Sequence, residues 1–267
     1  MLMNKVRYHG APPFNTILVH GGPGAAGELF HLAEDLSGCT GIMEPMQTRD
    51  TIGGQIEELR EIMEAATPPI TLAGFSWGAW LCLLTASEYP ERVSKLILIS
   101  SAPFKEKFAF SIMPARLSRL SEVERQEVSR LNSSLSSPDP DIVLFERFAQ
   151  LMQKADTFET VKNIPDTQME LDPIINRDVW REAASLRRSN TLLNSAKNLL
   201  CPVTVIHGDS DPHPYKGVIE PLNQLDLDLS FHLLEKCGHR PWIEKHARRK
   251  FIEIMKEELT CRKRNPP

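Results

Sequence analysis

The stretch Leu72-Ala-Gly-Phe-Ser76-Trp-Gly-Ala-Trp80 decides the fold of this chain. It contains the pattern Gly74-x-Ser76-x-Gly78, preceded by a short apolar run and followed by a longer segment that is apolar on every side. The short run is typical of a buried strand, and the longer segment is typical of a buried helix. The pattern therefore predicts a serine on a sharp strand-to-helix turn, where flanking glycines let the chain bend and the helix N-terminus favours developing negative charge.

The composition favours one large domain and excludes several classes of protein. The chain has 267 residues, 41% of them hydrophobic, and a net charge of −4, so no nucleic acid or other polyanion is expected as a partner. No apolar run is long enough to span a membrane, and the first residues lack the apolar core of a signal peptide, so we expect a cytoplasmic protein. Five widely spaced cysteines without a C-x-x-C pair predict reduced thiols and no structural zinc: Cys39, Cys82, Cys201, Cys237 and Cys261.

Strand and helix patterns alternate along most of the chain. Strands are predicted at 16–20, 41–46, 70–73, 93–99, 202–206 and 230–234, and helices at 28–36, 51–66, 79–84, 215–225 and 242–259. This alternation predicts an α/β fold with a mostly parallel sheet and helices on both faces. The first dozen residues, which include Pro12-Pro13, are expected to be a short lead, and residues 262–267 a solvated tail.

One block interrupts the alternation. Between residues 104 and 199 there is no convincing strand pattern, but helical patterns occur at 121–131, 142–154 and 177–188. A helical block between two strands of one sheet is an insertion, and we expect a helical lid over the carboxyl edge of the sheet. The predicted domains are an α/β core, residues 1–103 and 200–267, and a helical cap, residues 104–199.

Three polar side chains follow strand patterns in an order that suits nucleophilic catalysis. A serine hydroxyl is a poor nucleophile at neutral pH, so it needs a base within hydrogen-bond reach and an acceptor that orients the base. Ser76 follows one strand, Asp211 lies in the loop after strand 202–206, and His239 lies in the loop after the last strand. Such loops converge at the carboxyl edge of a parallel sheet, which makes these residues the candidate nucleophile, acid and base.

The acid and the base each have rivals. Asp209 lies two residues before Asp211, but the proline after Asp211 favours an extended backbone there, so Asp209 is expected to brace the loop. His239 follows a glycine, which permits an unusual bend, and precedes Arg240-Pro241 at a predicted helix start. The other candidates for the base are His207 at a strand end, His213 near the acid, His232 within a strand and His246 in the middle of the predicted closing helix.

An oxyanion hole needs backbone N–H donors directed at the oxygen of a tetrahedral intermediate. One donor is expected from Trp77, the residue after the serine. The other is expected from the loop His20-Gly-Gly-Pro-Gly24, whose glycines let the backbone approach a substrate closely. Gly22 is the candidate in this loop, with Gly21 as the alternative.

The same loop also matches a dinucleotide-binding pattern. Gly22-Pro-Gly24-Ala-Ala-Gly27 fits G-x-G-x-x-G between a strand and a helix, and Glu44 stands near the place of an acidic ribose contact. Pro23, however, removes an N–H from the turn that would cradle phosphate, and this hypothesis leaves the Ser, Asp and His loops unexplained. We therefore expect neither a nucleotide cofactor nor a metal.

Four motifs taken together resemble the proline iminopeptidase-like branch of the α/β-hydrolase superfamily. They are His20-Gly-Gly-Pro-Gly24, Gly74-Phe-Ser-Trp-Gly78, His207-Gly-Asp-Ser-Asp-Pro212 and Gly238-His239. The resemblance covers the predicted sheet domain, and it implies the α/β-hydrolase fold. It also implies that Ser76, Asp211 and His239 correspond to a catalytic triad, and Gly22 and Trp77 to the oxyanion hole.

The resemblance leads us to expect a serine hydrolase that cleaves an ester or amide bond of a small molecule through an acyl-enzyme. The chain departs from proline iminopeptidases at Phe75, where they usually carry a second glycine, and its lid shows no acidic cluster for a substrate amine. The apolar residues of 104–113 instead suit an uncharged acyl group. A proline iminopeptidase-type aminopeptidase is one alternative, and a non-catalytic ligand-binding module is another. The sequence leaves the oligomeric state open.

Overall fold

The computed structural model describes residues 5–135, 137, 140–162 and 169–260. The strands are β1 Val6–His9, β2 Phe14–Val19, β3 Ala25–Ala26, β4 Gly41–Pro45, β5 Ile70–Phe75, β6 Val93–Ile99, β7 Glu170–Leu171, β8 Val203–Gly208 and β9 Leu229–Leu234. The α-helices are α1 Phe30–Leu36, α2 Ile52–Ala65, α3 Trp77–Glu88, α4 Glu106–Ala109, α5 Ile112–Ser118, α6 Glu122–Leu135, α7 Ile142–Asp156, α8 Pro173–Arg188, α9 Thr191–Ser195, α10 Lys216–Leu222 and α11 Arg248–Thr260.

The main sheet confirms the predicted α/β fold. Its seven strands, counted over the described residues, run in the order β1-β4-β2-β5-β6-β8-β9. Every neighbouring pair is parallel except β1 with β4. Strand β5, which leads to Ser76, lies between β2 and β6, so the candidate nucleophile follows an inner strand of the sheet.

Apolar side chains cover both faces of this sheet. Ile17 and Val19 of β2 belong to a cluster with α2 and α3, whereas Leu18 belongs to a second cluster with α1 and α11. Successive side chains of a strand point to opposite faces, so the two clusters lie on opposite sides of the sheet. The predicted helices on both faces are therefore present.

The first residues differ from the sequence prediction. The expected short lead contains strand β1, which pairs antiparallel with β4 at the edge of the sheet. His9 of β1 is buried, and its two ring nitrogens lie 2.7 Å from Glu34 Oε1 and 2.9 Å from Glu44 Oε2. Arg7 Nη1 also donates to Glu44 Oε2, at 3.3 Å. These polar contacts hold a strand whose four residues give too short a pattern to identify.

The end of the chain also differs. The prediction placed one helix over 242–259, but a 3₁₀ turn at Pro241–Ile243 comes first, and α11 begins only at Arg248. Between them, the buried Glu244 side chain accepts hydrogen bonds from backbone N–H groups of other loops. These bonds give residue 244 a role that its apolar neighbours in the sequence do not reveal. The predicted tail 262–267 lies outside the described residues.

Residues 104–199, here called the helical segment, contain α4 to α9 between β6 and β8. Helices α6 and α7 share a small apolar cluster that includes Leu131 and Leu151. The segment also holds β7, a two-residue strand that sequence reasoning missed and that pairs with β3. Residues 136, 138, 139 and 163–168 of the segment lie outside the described residues. Among the helices that the structure describes, none combines the length and the apolar character that a membrane crossing requires.

Candidate active site

Ser76 occupies a strained turn between β5 and α3. Its φ of 52° and ψ of −111° lie in a region that non-glycine residues rarely adopt. The Ser76 N–H donates to the carbonyl oxygen of Ile99 on β6, at 2.9 Å, so the neighbouring strand holds the turn in place. The strain therefore falls on the residue that the sequence identified as the candidate nucleophile.

The flanking glycines allow two close backbone approaches. A Cβ atom at Gly74 would overlap the carbonyl oxygen of Gly78, and a Cβ atom at Gly78 would overlap the carbonyl oxygen of Val19 on β2. The elbow therefore needs glycine at both positions because other backbone atoms occupy the space of a side chain.

The structure brings Ser76, His239 and Asp211 together. His239 Nε2 lies 3.0 Å from Ser76 Oγ, and its Nδ1 lies 2.7 Å from Asp211 Oδ2. All three residues are buried, with exposed fractions of 6% for Ser76, 5% for His239 and 8% for Asp211. With Nδ1–H donating to Asp211, the neutral His239 ring presents its Nε2 lone pair to the Ser76 hydroxyl.

The charges of Asp211 and His239 stabilise each other. Burial alone would lower the pKa of His239, but the Asp211 carboxylate, together with the charge of Asp156, raises it, and the pKa lies above the ordinary 6.5. Burial alone would raise the pKa of Asp211, but the charge of His239 and hydrogen bonds from histidines hold it well below 3.8. Asp211 therefore stays ionised when His239 changes its protonation.

Two further histidines surround Asp211. His213 donates from its backbone N–H to Asp211 Oδ1 at 2.8 Å, its Nδ1 lies 3.1 Å from the same oxygen, and its ring stacks on His239 at 4.2 Å. Burial lowers the pKa of His213 to about 4, so its ring is neutral near pH 7. His207 Nε2 donates to the His213 carbonyl oxygen at 2.8 Å and lies 3.2 Å from Asp211 Oδ2.

Asp211, His213 and His239 also offer the donor types of a metal site. One ligand atom from each lies within 4.8 Å of the others. The two imidazole rings are stacked with an angle of 24° between their planes, and each Nδ1 faces a different oxygen of Asp211. This arrangement suits hydrogen bonds to one carboxylate, since lone pairs of stacked rings run side by side and do not converge on a single ion.

The rival candidates for the acid and the base occupy other places. Asp209 Oδ1 accepts hydrogen bonds from the Cys237 N–H at 3.3 Å and the Ser210 hydroxyl at 2.8 Å, and so braces the loop. His232 lies on β9, partly exposed. The prediction that His246 lies mid-helix is wrong: it is exposed before α11, 2.8 Å from Glu159 Oε2.

The glycine loop lies against the start of α8. Gly22 has a positive φ of 20°, and open space surrounds most of its Cβ position, whereas a Cβ at Gly21 would overlap the Phe75 ring. Asp172 N–H donates to the Gly24 carbonyl oxygen at 2.8 Å, and Asn176 Nδ2 donates to that of Pro23 at 3.0 Å. The helical segment therefore supports the loop that holds the candidate oxyanion donor.

This geometry contradicts the dinucleotide interpretation. Strand β3 lies within the glycine pattern, where a dinucleotide-binding turn would open a helix, and α1 begins only at Phe30. Glu44, the proposed ribose contact, has no exposed surface and is bound by His9 and Arg7.

Trp77, the other candidate oxyanion donor, is the first residue of α3, where backbone N–H groups have no acceptor within the helix.

The apolar run of 104–113 does not form one surface. Phe104 is fully buried, with its ring 6.3 Å from that of Trp80, whereas Phe110 is 72% exposed. Phe108 contributes differently again, since its side chain lies where a Cβ at Gly217 would sit. The expectation that this run suits an acyl group therefore applies only to its partly buried residues and not to the run as a whole.

Sequence reasoning missed three charged residues close to the candidate triad. Asp156 at the end of α7 is buried and forms a bidentate ion pair with Arg116 of α5. Glu244 is fully buried and accepts from the N–H groups of Gly238, Phe158 and Glu159, at 2.9 to 3.0 Å. No local motif marks these residues, because their partners lie tens of residues away in the sequence or across a turn.

Comparisons with known proteins agree with this architecture. The chain is 22% identical to a pimeloyl-[acyl-carrier protein] methyl ester esterase of Nitrosospira multiformis over 74% of this chain and 72% of that protein. It is also 22% identical to a proline iminopeptidase of Lactobacillus helveticus, over 93% of this chain and 90% of the other. The structure of a Paleococcus ferrophilus monoacylglycerol lipase matches with a TM-score of 0.62 at 16% identity, over 96% and 97% of the two chains.

The sequence model of the alpha/beta hydrolase family matches residues 16–253, which run from within β2 through β9 and include the helical segment between β6 and β8. The match covers most of the chain, and the sheet order agrees with the fold expected from the four motifs. The chain therefore belongs to the alpha/beta hydrolase family, and its enzyme class is that of a hydrolase.

Proposed function

We propose that this protein is a serine hydrolase that cleaves an ester or amide bond of a small molecule through an acyl-enzyme. The observation that carries the proposal is the chain of hydrogen bonds from Ser76 through His239 to Asp211, at 3.0 Å and 2.7 Å. The relatives named above include an esterase and a peptidase, which is in keeping with acyl transfer.

In the first half-reaction, Ser76 Oγ attacks the substrate carbonyl while His239 Nε2 accepts the hydroxyl proton. Asp211 keeps the His239 Nδ1–H in place and stabilises the imidazolium that forms. The backbone N–H groups of Gly22 and Trp77 bind the negatively charged oxygen of the tetrahedral intermediate. His239 then gives its proton to the leaving group, and the acyl group stays on Ser76.

In the second half-reaction, His239 accepts a proton from a water molecule, which attacks the acyl carbonyl. The tetrahedral intermediate uses the same two N–H donors, and His239 returns the proton to Ser76 as the acid leaves. The residues of one site thus serve both steps, and neither step needs a cofactor.

We propose further that the helical segment, residues 104–199, acts as a cap over the core formed by 1–103 and 200–267. This proposal is supported by contacts of the segment with both sides of the site. Strand β7 pairs with β3 next to the glycine loop, and the carbonyl oxygen of Asp156 in α7 accepts the His239 N–H. A cytoplasmic location remains our proposal as well, supported by the free thiols of the four described cysteines.

Four acidic residues in β7, in α8 and at the start of α8 are exposed or already bound by other groups, which favours an uncharged substrate. Asp172 caps α8, Asp178 pairs with Arg177 and Arg181, and Glu182 accepts from the Ile52 N–H at 2.8 Å. Glu170, the first residue of β7, is exposed. A charged amine in a site with little water needs a buried acid that is free to pair with it. These four acids do not meet that need.

The second candidate is an aminopeptidase of the proline iminopeptidase type. The observation in its favour is the relative from Lactobacillus helveticus, which matches 93% of this chain. We propose to compare kcat/KM for a p-nitrophenyl ester of a short fatty acid with that for proline p-nitroanilide, each divided by its rate with hydroxide. We expect the ester to have the larger ratio. A larger ratio for the prolyl amide, lost when its amine is blocked, would establish the aminopeptidase.

Labelling with a fluorophosphonate tests the shared mechanism. The wild type should be labelled covalently, and Ser76→Ala should lose both the label and ester turnover, the latter by about 10⁴-fold or more. Ser87→Ala is the matched control, because Ser87 lies at the far end of the same helix and donates to Leu84. Turnover or labelling that survives in Ser76→Ala would refute the proposal.

A further inference from the structure

Two bidentate arginine–carboxylate pairs connect α7 to other helices of the segment, and they differ in burial. In the first, Arg116 Nε and Nη2 each donate to Asp156 at 2.7 Å, and Asp156 is 6% exposed. In the second, Arg147 Nε and Nη2 each donate to Glu127 at 2.8 Å, and the arginine side chain is 43% exposed. A buried ion pair loses much of its favourable energy to desolvation, so stability alone is a weak reason for the first pair.

The buried pair lies directly against the loop that carries the candidate base. The carbonyl oxygen of Asp156 accepts the N–H of His239 at 2.8 Å, and a Cβ at Gly238 would overlap the same oxygen. Arg119, just after α5, donates to the carbonyl oxygens of Ala155 at 2.9 Å and Ser210 at 2.6 Å. The ends of α5 and α7 therefore contact both the base loop and the acid loop.

Building on the function proposed above, we propose that the Arg116–Asp156 pair is a positioning element for the base. It fixes the His239 backbone through the Asp156 carbonyl, and it places two opposite charges beside the imidazole ring, where each offsets the other. The helical segment thereby supplies part of the machinery that sets the proton affinity of His239, in addition to covering the site.

The charges around His239 predict the direction in which each substitution shifts the pKa of His239. The Asp156 carboxylate favours the imidazolium and raises the pKa of His239, whereas the Arg116 guanidinium lowers it. Among the described residues, other titratable or charged groups lie close to His239: Asp211 and His213 in the acid loop, His207 behind Asp211, Glu28 near the glycine loop, Glu244 at the Gly238 N–H, and Arg240 next in the chain. Removing one member of the pair leaves its partner uncompensated, so the two single variants shift the pKa of His239 in opposite directions.

The test follows the His239 ring by NMR in protein labelled with ¹⁵N-histidine, with His239→Gln used to assign its signals. We expect Asp156→Asn to lower the pKa of His239 by about one unit, because Arg116 keeps its charge. Arg116→Gln should raise it, and Arg116→Gln/Asp156→Asn should return it close to the wild-type value. Glu127→Gln, which breaks the exposed pair on the same helix, should leave it unchanged.

A second readout is the rate of fluorophosphonate labelling across the same pH range, whose acid limb should follow the NMR shifts. Shifts in the same direction, or loss of stability and rate without any shift, would assign the pair a structural role and overturn the proposal. If the Arg116→Gln variant does not fold, Asp156→Asn still tests the proposal: a His239 pKa equal to or above the wild-type value in that variant would overturn it. If the proposed function itself is wrong, the result differs from these outcomes: the fluorophosphonate would not label the wild type, while NMR would still report how the surrounding charges affect the pKa of His239.

Discussion

The two sides of the site are held by different kinds of contact. On the nucleophile side, Ser76 depends on one continuous stretch, β5 and α3, within the centre of the sheet and one backbone bond to β6. On the base side, Asp211 lies in the loop after β8 and His239 lies in the loop after β9. These two loops are held by hydrogen bonds to Glu244, Asp156 and Arg119. The proposed nucleophile is thus fixed by local backbone geometry, whereas the proposed base and acid also depend on contacts with the ends of α5 and α7, which are distant in the sequence.

Because the contacts differ, substitutions on the two sides should have different effects. Substitutions that add atoms to the elbow should act through the fold, because backbone atoms already occupy the space around Gly74 and Gly78. Substitutions in the braces should act through the position and charge of His239 while the sheet stays intact. Four predictions separate the two sides, from the largest expected effect to the smallest.

The largest effect is expected from Asp211→Asn, which should lower kcat by about 10⁴-fold because an amide cannot hold the imidazole in the required tautomer. Asp209→Asn is the matched control in the same loop, since Asp209 accepts from the Cys237 N–H and does not contact His239. It should lose stability with little loss of kcat. Steady-state kinetics and thermal unfolding of both variants decide the matter, and the reverse ranking of kcat would move the acid to Asp209.

On the nucleophile side, Gly78→Ala should destabilise the protein by about 3 kcal/mol or more, because the new methyl group overlaps the Val19 carbonyl oxygen. Gly53→Ala is the control: Gly53 lies in α2 with no atom within 4 Å of its Cβ position, so alanine there should be neutral or stabilising. Urea unfolding measures both. An elbow that accepts alanine at no cost would refute the close-approach argument.

On the base side, Glu244→Gln should lower kcat by about tenfold and leave KM less affected. The carboxylate accepts three backbone N–H groups, and an amide turns one acceptor into a donor that opposes an N–H. Glu253→Gln on the exposed side of α11 is the control. A kcat equal to that of the wild type, together with an unchanged unfolding midpoint, would show that Glu244 does not brace the His239 loop.

The smallest effect concerns pH. His239 must be neutral to act as the base, and its pKa lies above 6.5, so kcat/KM should fall as the pH is lowered through that raised value. The stability contribution has the opposite sense: it is fully present below the unfolded pKa of about 6.5 and is lost as the pH rises through the folded pKa. Rate profiles and unfolding at several pH values test both, and a rate that is flat from acid to neutral pH would contradict a histidine base.

The sequence predicts what local patterns encode. Ser76, Asp211 and His239 each follow a strand pattern, so their meeting at one sheet edge could be expected from topology alone. Strand β1 was missed because four residues carry too little periodicity, and the closing helix was placed too early because apolar Trp242 and Ile243 continue its pattern ahead of α11.

The braces of the base side could not be predicted for a different reason. The Arg116–Asp156 pair joins residues 40 positions apart, and the bond from Gly238 to Glu244 reverses the chain across a 3₁₀ turn. A charged residue on a helix is most often solvated, so nothing in the sequence separates Asp156 from the exposed acids around it. Only the packed structure identifies the charges that face His239.

The hydrogen bond from the His239 N–H to the Asp156 carbonyl, at 2.8 Å, makes one amide a reporter of motion. This amide exchanges its hydrogen with solvent only when α7 and the His239 loop separate, whereas the Ser76 amide, bonded to Ile99 within the sheet, needs a larger opening. The ratio of the two protection factors, each the intrinsic exchange rate divided by the observed rate, therefore gives the difference in free energy between separating α7 from the His239 loop and opening the sheet itself.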